Sequence, residues 1–295
     1  MKYIFLLALF LITNISFSQT KRGLLIGISN YNKARLLSED EWNNIHGADD
    51  VDLLVPILIQ KGFDAKNLII LKDSTATASA IRESFRELLN TCKENDLINN
   101  HFSCHGQPFE DEDNDENDQW DESLVAYDAK KIFEKGIYEG SNHIKDDELH
   151  QYLVELQKKI GEDGTIFVVL DACHIGEAYR NGRTEIFRGT NLVFSPHGKK
   201  YYKGDVKRGT NGGFISITSQ QNMSSICLIE ACMAHQLNME KNVNGKYYGS
   251  LSYHIYKILL KKGIEKRNCW WEDVKKSMDN DPSLINQTVV IETNF

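Results

Sequence analysis

The sequence predicts an α/β fold on a mostly parallel central sheet. Three observations point to it. Apolar runs of strand length alternate with amphipathic runs of helix length along the whole chain. The amphipathic runs carry helix punctuation, Thr at their starts and Gly at their ends. Two apolar runs end in reactive side chains, where parallel sheets place ligands and chemistry.

The elements follow in order. Residues 23–29, GLLIGIS, are a short apolar run with a Gly break. Residues 46–63 put Val51, Leu54, Val55, Leu58 and Ile59 at helical spacing and close at Gly62. NLIIL at 67–71 reads as a strand. Residues 75–92 open on Thr caps and carry Ile81, Phe85, Leu88 and Leu89 on one helical face. DLINNHFSCHG at 96–106 is the next strand, less clean because of two Asn. Residues 145–161 form a helix ending at Gly161, and TIFVVLDAC at 165–173 is the clearest strand. A strand at 212–219, a helix at 249–263, a short helix at 270–278 and a strand at 287–293 complete the pattern.

The chain has 295 residues, a formal net charge of −8 and 41% hydrophobic residues, enough for one large core or two small ones. This mild acidity speaks against a nucleic-acid partner, which requires a basic face. Residues 1–18 combine Lys2, an apolar run from Ile4 to Ile12 and a Ser16-Phe17-Ser18 close. They read as a signal peptide, so the expected mature chain starts near Gln19, is secreted or periplasmic, and has no other membrane segment. The six cysteines include no CxxC pair, and Cys227 and Cys232 read as ordinary buried thiols rather than a disulfide.

Two stretches break the alternation. Residues 110–122 hold nine acidic residues in thirteen, and residues 180–208 hold eight Lys/Arg against two acids. Neither resembles a linker, so residues 19–295 read as one domain with an acidic and a basic loop. Asp111, Asp113, Asp115 and Glu122 match positions 1, 3, 5 and 12 of an EF-hand, but Glu116 stands where that turn needs Gly.

Two strands end alike, in Ser103-Cys104-His105-Gly106 and Asp171-Ala172-Cys173-His174. A thiolate near neutral pH requires a neighbouring base or cation, and His supplies one that can later protonate a leaving amine. If the strands are neighbours, His105 and Cys173 meet. The N–H groups of Gly106 and Cys173 then form a candidate oxyanion hole. Two other readings stay open: a zinc site from Cys104, His105, Cys173 and His174, and buried thiols with a satisfied His. Alternation along a strand argues against convergence of both adjacent pairs on one metal, and turns Cys104 into packing.

FSCHGQ and LDACHIG resemble the His–Gly and Asp-x-Cys-His-Ser-Gly signatures of metacaspase-like cysteine peptidases of the caspase superfamily. RGLLIGISNY, IHGADDVDLL, DQWDESLVAYDA, IKDDELH, GGFISITSQQ and YGSLSYHIYKIL resemble further segments of that family in the same order, over about residues 22–291. The resemblance implies a caspase-like three-layer α/β/α sandwich, with His105 as base and Cys173 as nucleophile. It also implies a pocket for basic side chains from Asp50, Ser103 and Asp171. The carboxylate of Asp171 supports that pocket independently, since it repels acidic side chains and attracts Lys or Arg. Some members of the family bind calcium, and Asp121, Asp146 and Asp147 match that region; no cofactor is required for the chemistry itself. Cys104 replaces the family's usual Gly, Ile175 its usual Ser, and Trp120 lacks a preceding Gly.

The expected function is a monomeric, secreted cysteine endopeptidase cutting peptides and proteins after Arg or Lys. It could cut itself in the basic stretch, for instance after Arg183, Lys200 or Arg208. The alternatives are a catalytically idle caspase-like binding module and a thiol-redox or metal protein, the latter disfavoured by the missing CxxC.

Overall fold

The computed structural model describes residues 19–32, 41–111, 119–173, 185–190, 192–200, 217, 220–234, 236–284 and 286–295. Its elements in chain order are β1 (Lys21–Gly27), α1 (Gly47–Gln60), β2 (Leu68–Lys72), α2 (Ala78–Thr91), β3 (Leu97–Ser103), β4 (Gly106–Glu110), β5 (Trp120–Val125), β6 (His143–Lys145), α3 (Asp146–Ile160), β7 (Thr165–Asp171), β8 (Ser225–Glu230), β9 (Glu240–Val243), β10 (Lys246–Gly249), α4 (Ser250–Leu259), α5 (Trp270–Asp279) and β11 (Val290–Thr293).

Six strands form the central sheet in the order β11-β8-β7-β3-β1-β2. All neighbours are parallel except β11, which runs antiparallel to β8 at one edge. Alternate residues of each strand enter opposite cores. Leu24, Ile26, Ile98, Phe102, Ile166, Val168 and Leu170 pack with Phe85 of α2 and Leu153 of α3. Leu25, Leu97, Phe167 and Val169 pack with Leu54 of α1, Leu251 of α4 and Trp270 of α5. Burial on both faces explains why these strands read as continuous apolar runs. The result is the expected three-layer caspase-like sandwich. No helix among the described residues is long and apolar enough to cross a membrane.

The helices start and stop as their sequences dictate. The Thr77 hydroxyl caps α2 by accepting from Ala80 N–H. Three acids open α3, Lys158 and Lys159 close it, and Gly161 ends it at a φ of 69°. Helix α1 lies unusually close to the sheet. A Cβ at Gly27 would overlap the Gly47 carbonyl, and a Cβ at Gly47 would overlap the Ser103 carbonyl. Two glycines thus bring the first turn of α1, with Asp50, against the tips of β1 and β3.

Two expectations are revised. The acidic stretch 110–122 is not simply a loop: Glu110 ends β4, Trp120–Glu122 begin β5, and β4-β5-β6 form a separate antiparallel sheet. The strand expected at 212–219 lies outside the described residues except for Ile217, and the described strand beside β7 is β8 at 225–230. The described part of the basic stretch is docked rather than loose. Phe194 exchanges backbone bonds with Pro108 and Glu110, and it stacks on Phe109 in a small third core. Residues 1–18, 112–118, His174, Arg183 and Arg208 lie outside the described residues.

Candidate active site

Ser103 pairs with Asp171 at the ends of neighbouring β3 and β7, so both chemistry-bearing tips leave the sheet side by side. The Gly106 N–H donates to the Cys173 carbonyl at 3.1 Å. The same bond means that Gly106, expected in an oxyanion hole, has its N–H engaged by the Cys173 backbone.

His105 is 1% exposed and lies between two aromatic rings, Trp42 stacked at 5.1 Å and Tyr31 at 5.2 Å between ring centroids. Its backbone N–H donates to the Tyr31 hydroxyl at 2.7 Å. Nε2 lies 2.8 Å from the Asn43 carbonyl, which can only accept, so Nε2 carries the proton and Nδ1 the lone pair. Nδ1 is buried and has no hydrogen-bond partner among the described residues. Burial lowers the pKa of His105 to about 4, the bond to Asn43 opposing it, so the ring is neutral at pH 7.

The Cys173 thiol donates to the Gln236 carbonyl at 3.0 Å, and the Cys232 thiol reaches the same oxygen at 3.7 Å. Its link to Cys173, together with burial, raises the Cys232 pKa well above its ordinary value. Cys104 packs into the α2–α3 core, and burial pushes its pKa up to about 12. This matches its reading as a packing residue.

Asp50, Ser103 and Asp171 converge, and a guanidinium from this chain fills the space between them. Arg188 is 0% exposed. Its Nη1 donates to Ser103 Oγ at 2.5 Å and to the Asp171 carbonyl at 3.2 Å, and lies 3.5 Å from Asp171 Oδ1. Nη2 donates to Asp50 Oδ2 at 2.7 Å and to Glu240 Oε1 at 2.9 Å, and Nε reaches the same Glu240 oxygen at 3.2 Å. Asp50 also accepts from Ser103 Oγ at 2.6 Å and from Gly249 N–H at 2.9 Å. Asp171 accepts from Asn238 Nδ2 and from both N–H and Oγ of Ser252. A Cβ at Gly249 would overlap Asp171 Oδ2 and crowd Arg188 Nη1, so only Gly leaves room for this cluster.

Burial works against the charge on Arg188, but Asp50, Asp171 and Glu240 outweigh it and raise its pKa. Burial likewise opposes ionisation of Asp171 and Glu240. Arg188, with Asn238 and Ser252 for the first and His46 for the second, holds both below the usual carboxylate range. Asp50 is the exception: burial pushes it up to about 7 despite Arg188.

A family profile described as metacaspase, peptidase C14 domain, matches residues 21–180. The chain belongs to the metacaspase family. It is 23% identical over 273 residues to Metacaspase-1 of Schizosaccharomyces pombe, covering 81% of this chain and 60% of that protein. To Metacaspase-1 of Eremothecium gossypii it is 30% identical over 166 residues, covering 54% of this chain and 32% of that one. The chain therefore spans 60% or less of the length of these two curated relatives. A crystal structure of the protein GSU0716 from Geobacter sulfurreducens shares the fold, with a TM-score of 0.61 and 19% identity over 93% of each chain.

Within the metacaspase fold the third expected cluster also forms. Asp121 of β5 and Asp146 and Asp147 of α3 each offer a carboxylate oxygen within 4.8 Å of the others. Asp121 Oδ2 accepts from Lys145 at 2.8 Å, while its Oδ1 is buried with no hydrogen-bond partner among the described residues. Burial pushes Asp121 up to about 6, with Asp111 and Asp147 adding to it and Lys145 opposing it. Three oxygens and an orphaned buried acceptor fit a hard divalent cation.

Sequence reasoning missed Asn43, Arg188, Asn238 and Glu240. A visible signal existed for Glu240. Asn244-Gly245, both at positive φ, close a two-residue β9–β10 hairpin whose register sets Glu240 opposite Gly249.

Proposed function

We propose that this metacaspase is a cysteine endopeptidase with a His105/Cys173 dyad that cuts peptide bonds after Arg or Lys. One observation carries the specificity: a basic side chain already fills the Asp50–Ser103–Asp171 cavity, held by charge-assisted bonds on every side. The dyad is supported by the neighbouring strand tips and by the tautomer of His105. The Asn43 carbonyl holds Nε2–H and leaves Nδ1 as the proton acceptor.

In this mechanism the thiol leaves the Gln236 carbonyl and passes its proton to His105 Nδ1. The thiolate attacks the carbonyl carbon of the basic residue. Charge develops on that oxygen, which the Cys173 N–H and a released Gly106 N–H would stabilise. His105 then protonates the leaving amine, and water hydrolyses the thioester. Asn43 acts through His105 and is a positioning group.

The proposal includes calcium as an activator held by Asp121, Asp146 and Asp147, with no step of the chemistry passing through it. Calcium should raise both the melting temperature and the peptidase rate of the wild type, and neither in Asp147→Asn; identical responses would remove the ion from the account. It also includes export by residues 1–18, to the periplasm or beyond, and action as a monomer. Fractionation and sedimentation test those two points.

The direct experiment is turnover of fluorogenic Arg, Lys and Asp peptides. We expect Arg and Lys peptides to be cut and Asp peptides spared. Cys173→Ala and His105→Ala should lose at least about 10³-fold in rate. A folded wild type that turns over no peptide would make the chain an idle binding module.

A further inference from the structure

The thiol at the tip of β7 has a second thiol beside it. Cys173 and Cys232 form a small core of their own, with Leu237 packed against them. Both are buried, and neither is in a disulfide. The topology puts them there. Strands β7 and β8 run parallel with Leu170 opposite Glu230, and Ala231 N–H extends the pairing by donating to the Leu170 carbonyl at 3.0 Å. Cys173 and Cys232 follow on the two continuations. Neighbouring strands lie about 4.8 Å apart, and a disulfide joins Cα atoms about 4.4–6.8 Å apart.

The two thiols also share one acceptor. The Gln236 carbonyl takes Cys173 Sγ at 3.0 Å and Cys232 Sγ at 3.7 Å. A carbonyl oxygen has two lone pairs, so it can seat both donors at once. That oxygen is held in place. Gln236 N–H donates to the Met233 carbonyl at 2.9 Å, and Gln236 Oε1 accepts from Met233 N–H at 3.2 Å and Thr288 N–H at 2.8 Å. The turn carrying Cys232 is thus fixed with its sulfur against Cys173. The other cysteines lie elsewhere: Cys92 and Cys104 in the α2–α3 core, Cys227 in the opposite core, and Cys269 exposed. The bond to Cys173, and then burial, keep Cys232 protonated when a thiolate forms beside it.

Going beyond the peptidase reading above, we propose that Cys173 and Cys232 are an oxidation site, closed to a disulfide by a hydroperoxide and reopened by a dithiol. Its effect on peptide turnover rests on that reading; the bond itself does not. The Cys173 thiolate, its proton passed to His105, attacks one peroxide oxygen. The O–O bond breaks, and the departing hydroxide takes the proton from His105 and leaves as water. Cys173 is now a sulfenic acid. Cys232 Sγ attacks Cys173 Sγ, the S–O bond breaks, and the second hydroxide leaves as water with the Cys232 proton. The two thiols together lose two electrons, and the peroxide gains them. While the bond exists Cys173 has no thiolate to attack a peptide. The bond also keeps Cys173 from the irreversible sulfinic stage.

The test treats wild type, Cys232→Ser and Cys173→Ala with hydrogen peroxide and then dithiothreitol. Intact mass, unreduced peptide mapping and Arg-peptide turnover are read at each stage. Wild type should lose two hydrogens and yield a crosslinked peptide pair holding Cys173 and Cys232. Its turnover should fall by at least about tenfold and return nearly in full with dithiothreitol. Cys232→Ser should instead gain oxygen at Cys173 and regain less than about a tenth of its own starting rate. Cys173→Ala should form no disulfide at Cys232. The wild-type peptide map needs no variant, so it decides the matter even if Cys232→Ser fails to fold. Sulfinic acid at Cys173 with no link to Cys232, or a Cys232→Ser that recovers as fully as wild type, would overturn this inference and leave the peptidase reading standing. A Cys173–Cys232 link in a chain that cuts no peptide would uphold the oxidation site and remove the peptidase reading alone.

Discussion

The acidic cavity and the His105–Cys173 end stand at the tips of the same two strands, yet their polar atoms are treated in opposite ways. In the cavity each carboxylate oxygen of Asp50 and Asp171 accepts at least one hydrogen bond, and Arg188 spends its donors on three acids and a hydroxyl. A few residues away, His105 Nδ1 is buried with no described partner, and the Cys173 thiol rests on a backbone carbonyl. The cavity is filled by Arg188. At the other end the described bonds run from the His105 ring to the Asn43 carbonyl and from the Cys173 thiol to the Gln236 carbonyl.

The comparison breaks most sharply if the cavity is spoiled while the dyad is left intact. Asp50→Asn or Asp171→Asn removes one charge from a buried cluster in which breaking a pair costs about 3–5 kcal/mol. If the proposed peptidase reading holds, kcat/KM for Arg peptides should fall by roughly 10²–10³-fold. A thiol-reactive probe without a basic group should still label Cys173 at the wild-type rate. Equal loss in both measurements would mean that the substitutions damaged the whole site, and the division into two regions would fail.

Glu240 sharpens the comparison within the cavity. Its Oε1 takes both Nε and Nη2 of Arg188, a fork that an ammonium cannot span. Charge-assisted bonds of this kind contribute about 1.5–3 kcal/mol. Glu240→Gln should therefore lower the Arg-over-Lys ratio of kcat/KM by about tenfold, mainly at the expense of Arg. An unchanged ratio would assign discrimination to Asp50 and Asp171 alone.

How much of this was legible beforehand depends on distance along the chain. The strands at 97–103 and 165–171 and the helices at 47–60, 78–91, 146–160 and 250–259 announce themselves because each buries a face of regular period. Their tips bring together Ser103, His105, Asp171 and Cys173 with no information beyond parallel pairing. Asp50 is placed by the close approach of Gly27 and Gly47, which a sequence shows only as two glycines. Arg188 was illegible for another reason, and Glu240 was signalled only through the Asn244-Gly245 turn. Both lie in short segments without apolar alternation, and their meeting with Ser103 and Asp50 depends on how a long basic connection folds back. Composition marked that connection as charged, but only its partners reveal that one of its cations is buried. The strand at 225–230 has no expected counterpart, although Ile226 and Leu228 face one core and Cys227 and Ile229 the other.

The smallest effect is set by pH, and it separates the two regions by titration. Burial raises Asp50 to about 7, whereas it lowers His105 to about 4. Between pH 8 and pH 6 the cavity should therefore lose negative charge while the base remains neutral. KM for Arg peptides should rise by about tenfold over that interval, with kcat nearly level, as expected for a group that passes from mostly ionised to mostly protonated. For stability the sign is reversed. The folded pKa of Asp50 lies above its ordinary 3.8, so protonation relieves the fold; that contribution is fully present below about 3.8 and is lost as pH rises through about 7. Asp50→Asn, neutral at every pH, should flatten the KM profile while leaving the kcat profile in place. A KM profile that keeps its slope in Asp50→Asn would move the titration to another group, with Glu240 and its partner His46 the next to examine.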